Sequence, residues 1–145
     1  MRIIKGNFWE TGDWRVITTN GIIRKDGRLV MGAGIAYEAV LLHPGIDAVL
    51  GTLVREQGNR PFLLEEFKII TLPTKQAWWK PSELDFVELS IRRLAELVEE
   101  NPFIVNPLVQ IAMTKPGCGN GGLKWVDVEP ICDKYLDSRY IVVEK

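Results

Sequence analysis

The sequence contains few of the side chains that bind metals or form disulfides. Its 145 residues include one histidine, His43, and two cysteines, Cys118 and Cys132. One histidine and two separated cysteines do not supply the four ligands of a structural zinc site. Two cysteines also fall short of the disulfide framework of small secreted domains. We therefore expect no structural zinc site and a reducing, cytoplasmic environment.

Long apolar runs and a strong charge of either sign are also missing. The first ten residues, MRIIKGNFWE, lack the basic and then apolar order of a signal peptide. No run approaches the roughly 18 apolar residues that a membrane span needs. A formal net charge of −1 provides no global positive field to attract a phosphate backbone. Only a local basic patch could therefore attract a nucleic acid. We expect a single domain over residues 1–145 with no membrane partner.

Short β-branched runs alternate with helical patterns along the chain. The predicted strands are 2–5, 14–19, 62–64, 68–72, 108–113 and 140–143, and the predicted helices are 32–42, 46–57, 82–100 and 125–136. The third helix has one apolar stripe from Leu84 to Val98, with Ser82 as its candidate N-cap. Strands interleaved with helices predict an α/β domain with helices on both faces of a mostly parallel or mixed sheet.

The stretch PGCGNGG places Gly117, Gly119, Gly121 and Gly122 within six residues, between a predicted strand and a predicted helix. Glycine costs conformational entropy on folding, so a cluster persists where the chain needs a positive φ angle or where a ligand approaches the backbone. A strand, a glycine loop and a helix N-terminus present several N–H groups to one point, which favours anion binding. The alternative is that these glycines serve only the chain geometry.

A second loop of this kind occurs in LVMGAGIA, where Gly32 and Gly34 precede or open a predicted helix. Ligands of open α/β sheets lie at the carboxyl ends of the strands, so two such loops on one rim would suit a diphosphate. The alternative here is close packing of the helix on a strand.

Three segments in this order, VITTNGIIRKDGRLVMGAGIA, IITLPTKQAWWKPSELD and PGCGNGGLKWVDVEPI, resemble a macro domain, the α/β/α module that binds ADP-ribose. The resemblance is narrower to the branch of terminal ADP-ribose glycohydrolases and of the macro domains of DNA ADP-ribosylation antitoxins. It runs from the first strand to the last. It implies a three-layer α/β/α macro domain with a mixed, mostly parallel central sheet, and it implies no metal and no other cofactor.

The resemblance also implies where the parts of the ligand bind. Gly6 and Asn7 match the place where macro domains contact adenine, although many members have Asp at the position of Asn7. Asn20 matches the asparagine that faces the distal ribose, and we group it with the catalytic residues. The two glycine loops match the loops that bind the diphosphate and the riboses, and their residues are Met31, Gly32, Ala33, Gly34, Ile35, Ala36, Gly117, Cys118, Gly119, Asn120, Gly121, Gly122 and Leu123.

Lys75, in LPTKQAWW, aligns with the lysine that the glycohydrolase branch uses against the anomeric carbon of the distal ribose. An amine there can form a covalent intermediate if a neighbour takes its proton or if burial beside Trp78 and Trp79 keeps it neutral. The alternative is a solvated lysine at a strand end. The eukaryotic enzyme has an acidic helper where this chain has Gly121, a glycine that the antitoxin-like members share.

Two further features each have two interpretations. The segment GIIRKDGRL, residues 21–29, is longer than the antitoxin-type loop, and its Arg24, Lys25 and Arg28 either form a basic lip near the distal ribose or lie at a solvated hairpin tip. We favour the hairpin tip. Trp78 and Trp79 either stack on a base or pack locally at a strand-to-helix corner, and we favour local packing.

Three functions remain open from the sequence. The first is an ADP-ribosyl glycohydrolase that uses Lys75 to release ADP-ribose from a nucleobase or an acidic side chain. The second is a reader that binds ADP-ribose or an ADP-ribosylated macromolecule, including a nucleic acid, without chemistry. The third is a phosphatase that acts on ADP-ribose 1″-phosphate. The sequence does not determine the oligomeric state.

Overall fold

The computed structural model describes residues 1–102, 104 and 106–145. In this part of the chain the strands are β1 (Arg2–Lys5), β2 (Trp14–Thr19), β3 (Leu63–Leu64), β4 (Ile69–Pro73), β5 (Ile111–Met113) and β6 (Tyr140–Glu144). The α-helices are α1 (Gly34–Leu42), α2 (Ile46–Gln57), α3 (Leu84–Glu100) and α4 (Trp125–Tyr135). Two short 3-10 helices span Phe8–Glu10 and Glu65–Phe67.

The strands form one six-stranded sheet in the order β1-β6-β5-β2-β4-β3. Every neighbouring pair is parallel except β3 and β4, which are antiparallel. The sheet is therefore mixed and mostly parallel, as predicted. Because the parallel strands point the same way, the carboxyl ends of β2, β4, β5 and β6 meet at one edge of the sheet.

Apolar residues alternate across the two faces of the sheet. On β2, Val16 packs into a core shared with α3 and α4, whereas Ile17 packs into a second core shared with α1 and α2. On β4, Ile70 and Ile69 divide in the same way. This alternation is the period-2 pattern of a strand that is buried on both faces. The result is three layers, α/β/α, which confirms the predicted fold class.

Most element boundaries agree with the prediction within two residues, and the late starts of α1 and β5 have local reasons. Helix α1 begins at Gly34 rather than at residue 32, because Ala33 is extended with φ of −148° and ψ of 158°. Strand β5 begins at Ile111 rather than at residue 108, because the side chain of Asn106 accepts a hydrogen bond from the Leu108 N–H at 2.9 Å and forms a turn.

The prediction that Ser82 caps α3 is wrong. Glu83 occupies the N-cap position, and it makes no side-chain hydrogen bond there. The N–H of Ser82 instead donates to the carbonyl of Gly121 at 2.9 Å. Its hydroxyl is buried and has no hydrogen-bond partner in the described part of the chain. Ser82 therefore joins the segment before α3 to the second glycine loop.

Candidate functional site

A cleft of about 980 Å³ opens at the carboxyl ends of the parallel strands. The predicted site residues that line it are Asn20, Met31, Gly32, Ala33, Gly34, Ile35, Ala36, Lys75, Cys118, Gly119 and Asn120. The predicted residues that do not line it are Gly6, Asn7, Gly117, Gly121, Gly122 and Leu123. The cleft thus brings together the tips of both glycine loops and both predicted catalytic residues.

The first glycine loop leads into the N-terminus of α1, which faces the cleft. Gly34, Ile35 and Ala36 form the first turn, so their N–H groups have no carbonyl partner within the helix. Ala33, at the N-cap position, makes no side-chain hydrogen bond to them. Helix α1 therefore presents free donors and the positive end of its dipole to the cleft.

The second glycine loop fixes its own shape and exposes its tip. The Leu123 N–H donates to the Gly117 carbonyl at 2.9 Å, and the Gly122 N–H donates to the Gly119 carbonyl at 3.2 Å. Gly119 and Asn120 are exposed at the tip, where their own N–H groups donate to no acceptor among the residues the structure describes. These two N–H groups are therefore available to donate hydrogen bonds to a ligand in the cleft.

The helix N-terminus predicted to assist the second loop is not at the cleft. Helix α4 begins at Trp125, and no residue of α4 lines the cleft. Two residues, Leu123 and Lys124, separate the loop from the helix. The positive end of a helix dipole was predicted at both loops. It lies at the cleft for α1 and not for α4.

Gly121 and Gly117 serve the chain geometry rather than the cleft. A Cβ at Gly121 would collide with the hydroxyl of Ser82. Gly117 has φ of +73°, and a Cβ there would lie 2.9 Å from a methyl group of Leu123. The absence of an acidic side chain at Gly121 has a steric cause, because the site is already filled by Ser82.

Lys75 lies two residues beyond β4 and lines the cleft. Its Nζ donates to the carbonyl of Trp78 at 3.3 Å, and its own carbonyl accepts from the side-chain amide of Asn59 at 3.0 Å. Trp78 and Trp79 are 55% and 59% exposed, so the predicted burial of the amine by these rings is not present. The backbone of Lys75 is anchored while the amine remains accessible from the cleft.

Asn20 lines the cleft and also holds the base of the 21–30 hairpin. Its Nδ2 donates to the Val30 carbonyl at 2.9 Å, and its Oδ1 accepts from the Ile22 N–H at 2.8 Å. An amide has a second hydrogen and a second lone pair, so Asn20 retains the capacity for one more donor and one more acceptor contact. Its orientation is fixed before any ligand arrives.

The tip of this hairpin packs away from the cleft. Arg24 and Arg28 both pair with Asp26, and Gly27 adopts φ of +88° in the turn. The carbonyl of Gly27 occupies the space that a side chain at Gly51 of α2 would need. No basic residue of the hairpin lines the cleft, so the structure supports the hairpin tip and not the basic lip.

The predicted adenine end of the site lies beside the first 3-10 helix. Asn7 uses its side chain to accept a hydrogen bond from the Trp9 N–H at 2.9 Å, and Gly6 donates its N–H to the Glu144 carbonyl at 2.9 Å. Neither residue lines the cleft, whereas Phe8 does. Gly6 and Asn7 therefore position the ring of Phe8, which the sequence analysis missed.

Most of the charge in the cleft comes from residues that the sequence motifs did not identify. Lys115 lines it and pairs with Glu144 at 2.7 Å. The hydrogen bond from Lys115 lowers the pKa of the Glu144 carboxyl, because it stabilises the ionised form. Lys145 and Glu38 also line the cleft. Lys115 lies two residues beyond β5, as Lys75 lies two residues beyond β4, and this shared offset was the signal available in the sequence.

Other lining residues that the sequence analysis did not select are smaller or less polar. They are Thr18, Thr19, Val30, Thr74, Trp78, Thr114 and Val143.

Some chemistries are not provided by the described part of the chain. Burial raises the pKa of the Cys118 thiol, so this cysteine is protonated at neutral pH and is a poor nucleophile. No group of three or more His, Cys, Asp or Glu side chains is placed there to hold a metal ion. None of the helices found in it has the length and apolar character to cross a membrane.

No protein-family model matches the sequence. A curated relative, the DNA ADP-ribosyl glycohydrolase of Thermus aquaticus, is 26% identical over 147 aligned positions, which cover 95% of this chain. The match covers 38% of the relative, so this chain spans well under half the length of that protein.

Solved structures with the same fold cover nearly all of the chain. The macrodomain of Mycobacterium tuberculosis DarG has a TM-score of 0.79 at 24% identity and covers 100% of this chain and 98% of its own. The macrodomain of Thermus aquaticus DarG has a TM-score of 0.74 at 28% identity, covering 99% of this chain and 97% of its own. Thermosipho africanus DarTG in complex with ADP-ribose has a TM-score of 0.76 at 21% identity, covering 98% of this chain and 41% of its own. The resemblance inferred from the motifs is thus confirmed, and the chain has the fold of a macrodomain similar over its whole length to those of DarG.

Proposed function

We propose that this protein binds ADP-ribose and hydrolyses it from a modified macromolecule, with a nucleobase of DNA as the favoured substrate. The observation that carries the proposal is that one cleft contains Lys75, Asn20 and the free N–H groups of both glycine loops. The names of the relatives support it, since one is a DNA ADP-ribosyl glycohydrolase and one structure is a complex with ADP-ribose. We expect this activity in the cytoplasm and from a single domain.

The diphosphate is proposed to bind between the two glycine loops, which act as phosphate-binding loops. The donors are the N–H groups of the first turn of α1 on one side and those of Gly119 and Asn120 on the other. Each hydrogen bond from an N–H to a charged oxygen contributes about 1.5–3 kcal/mol. Lysine side chains exceed carboxylates in the lining by three to two, namely Lys75, Lys115 and Lys145 against Glu38 and Glu144, which also favours an anion.

The two ends of the cleft differ in chemistry, and this sets the direction of the ligand. Phe8 lines the cleft and follows β1, the edge strand on the far side of the sheet from β4, and an adenine ring can contact its apolar face there. Asn20 and Lys75 supply polar groups for the distal ribose and its anomeric carbon. The ligand is therefore proposed to lie with its adenine towards β1 and its reactive carbon towards β4.

Lys75 is proposed to act as the nucleophile. In its neutral form the amine bonds through nitrogen to the anomeric carbon while the bond from that carbon to the nucleobase breaks, and the base leaves with the bonding electron pair and takes up the proton that the substituted lysine nitrogen gives up. Water then attacks the same carbon, the lysine nitrogen leaves with a proton from that water, and ADP-ribose is released. The remaining donor and acceptor of Asn20 would hold the ribose hydroxyls during both steps.

A second candidate function is a reader of ADP-ribose, and one observation favours it. The amine of Lys75 donates to the Trp78 carbonyl, and within the described residues it contacts no carboxylate and no imidazole that would accept its proton. A cleft with this arrangement binds the ligand whether or not the amine reacts.

The test combines binding and release in one preparation. Calorimetric titration with ADP-ribose is followed by an assay of ADP-ribose released from ADP-ribosylated single-stranded DNA and from protein modified on acidic side chains. For the glycohydrolase we expect binding and release from DNA, with Lys75→Ala retaining the affinity for ADP-ribose and losing release. Lys25→Ala is the matched control, because Lys25 is exposed on the hairpin and does not line the cleft.

Each outcome assigns a function. Binding without release from either substrate would favour the reader. Normal release by Lys75→Ala would remove the lysine from the mechanism. No binding of ADP-ribose would overturn the whole proposal.

A further inference from the structure

Two neighbouring tryptophans remain exposed directly beside the reactive lysine. Trp78 and Trp79 are 55% and 59% exposed, and their rings meet edge to face with centroids 5.4 Å apart and planes at 89°. Local packing was predicted for them, and they do pack on each other, but not into the core. Large exposed aromatic surface is costly in water and marks an interaction surface when it is contiguous.

We propose that Trp78 and Trp79 form a platform on which bases of single-stranded DNA stack next to the modified nucleotide. This inference rests on the proposed function. It adds to that function the surface that selects a nucleic acid strand over an isolated ADP-ribosyl nucleoside.

The position of the platform matches the part of the substrate that lies outside the cleft. Trp78 lines the cleft with Lys75, and the Lys75 amine hydrogen-bonds the Trp78 carbonyl at 3.3 Å. The leaving base must lie next to this amine, so the strand attached to that base leaves the cleft over Trp78. Trp79 is the next residue and does not line the cleft, which places it further along this exit.

The chemistry of the segment fits a nucleic acid strand. Residues 75–82, KQAWWKPS, contain Lys75 and Lys80 and no carboxylate. Aromatic rings that stack on bases, combined with positive charge along the backbone, are the features of surfaces that bind single strands without reading sequence. A polypeptide brings a planar side chain only where its sequence contains one, whereas every nucleotide of a strand brings a base, so a nucleic acid is the occupant we infer.

The platform is also held in place before a ligand binds. Asn59 donates from its side-chain amide to the Lys75 carbonyl at 3.0 Å and to the Gln76 side chain at 3.1 Å. The Lys80 N–H donates to the Ala77 carbonyl at 3.1 Å, which closes a turn around the two tryptophans. Ala77 is buried and fixes this turn on the protein. A rigid segment loses little conformational entropy when it binds, so the exposed rings are available at low cost.

The experiment uses fluorescence anisotropy of a labelled, unmodified single-stranded DNA oligonucleotide at low salt. The proteins are the wild type, Trp79→Ala, Trp79→Phe and the control Leu108→Ala, which removes an exposed apolar side chain outside the cleft. Stacking of one base is worth about 1–3 kcal/mol, so Trp79→Ala should weaken binding by roughly 5- to 150-fold, with Trp79→Phe between it and the wild type. Leu108→Ala should match the wild type.

A second measurement covers weak binding to unmodified DNA. The ADP-ribosylated oligonucleotide and free ADP-ribose are compared as competitors that displace labelled ADP-ribose from Lys75→Ala, which is expected to bind without cleaving the oligonucleotide. We expect the oligonucleotide to compete at least fivefold more strongly, and Trp79→Ala in the same background to reduce this advantage.

The outcomes separate this inference from the proposed function. Equal DNA affinity in the wild type and Trp79→Ala, or no advantage of the modified oligonucleotide over ADP-ribose, would overturn the platform even if release of ADP-ribose is normal. Preferential binding of a modified peptide over the oligonucleotide would also overturn it. The first assay contains no ADP-ribose. A protein that does not bind ADP-ribose would therefore refute the proposed function, while the DNA affinities of the wild type and Trp79→Ala would still decide whether the two tryptophans bind DNA.

Discussion

Replacing Gly119 with valine should remove ADP-ribose binding while the protein stays folded. A Cβ at Gly119 meets no heavy atom within 4 Å, and its φ lies outside the left-handed region. An exposed substitution without clash or strain usually changes the free energy of unfolding by about 0.5 kcal/mol or less. We therefore expect the melting temperature of Gly119→Val to stay within about 2 °C of the wild type.

The effect on binding should be much larger. The valine side chain would stand in the cleft beside the N–H groups of Gly119 and Asn120, where the diphosphate is proposed to bind. Two lost hydrogen bonds to charged oxygens are worth about 3–6 kcal/mol in total. The Kd for ADP-ribose should rise by roughly 10²- to 10⁴-fold, which calorimetric titration detects as loss of binding at micromolar protein.

A neighbouring glycine provides the contrasting variant. In Gly121→Ala the new methyl group would overlap the Ser82 hydroxyl, which is buried. Overpacking of this kind costs about 1–3 kcal/mol and should lower the melting temperature measurably. An unchanged Kd in Gly119→Val would refute the assignment of the loop tip to the diphosphate. A large loss of stability in Gly119→Val would show that the steric reasoning is wrong.

Two other perturbations test the cleft, and a third tests an ion pair at the opposite end of β6. Asn20→Ala removes two hydrogen bonds of about 1 kcal/mol each, so we expect a lower melting temperature and weaker ADP-ribose binding. An unchanged melting temperature would contradict the role of Asn20 at the base of the hairpin. The hydrogen bond from Arg139 lowers the pKa of Asp137 below its ordinary 3.8, so this ion pair stabilises the protein above that pH and its contribution is lost as the pH falls through the lowered pKa. In Asp137→Asn the free energy of unfolding should fall less steeply with decreasing pH, and a pH dependence identical to that of the wild type would argue against the pair. Burial raises the pKa of Cys118, so we expect slow alkylation by iodoacetamide at pH 7, and slower alkylation still with ADP-ribose in the cleft. Fast alkylation with and without ADP-ribose, measured by mass spectrometry, would contradict the position of Cys118 in the cleft.

The fold was predictable from the sequence because its signals are local and regular. The apolar stripe of α3 and the β-branched runs of β2 and β4 mark elements that are buried by their pattern alone. Boundaries were less predictable where one side chain or one dihedral angle decides them. The turn at Asn106 makes β5 begin three residues later than predicted, and the extended backbone of Ala33 makes α1 begin two residues later.

The candidate site was predictable where the backbone of a glycine-rich segment lines the cleft. The tips of both glycine loops lie in the cleft, as expected from their glycine content. Contacts between distant segments were not predictable, because no local pattern encodes them. Lys115 faces the cleft and pairs with Glu144 only because β5 and β6 are neighbours in the sheet, and Ser82 meets Gly121 across 39 positions of sequence.

The hydrogen bond from Ser82 to Gly121 has a further consequence. It joins the segment that begins at Lys75 to the loop whose tip is proposed to bind the diphosphate. Two segments that share a hydrogen bond and a filled space are coupled, so a ligand that holds the loop in place also favours the position in which Ser82 contacts it. An ADP molecule, which has no distal ribose, should therefore protect the Ser82 N–H from hydrogen exchange without touching it.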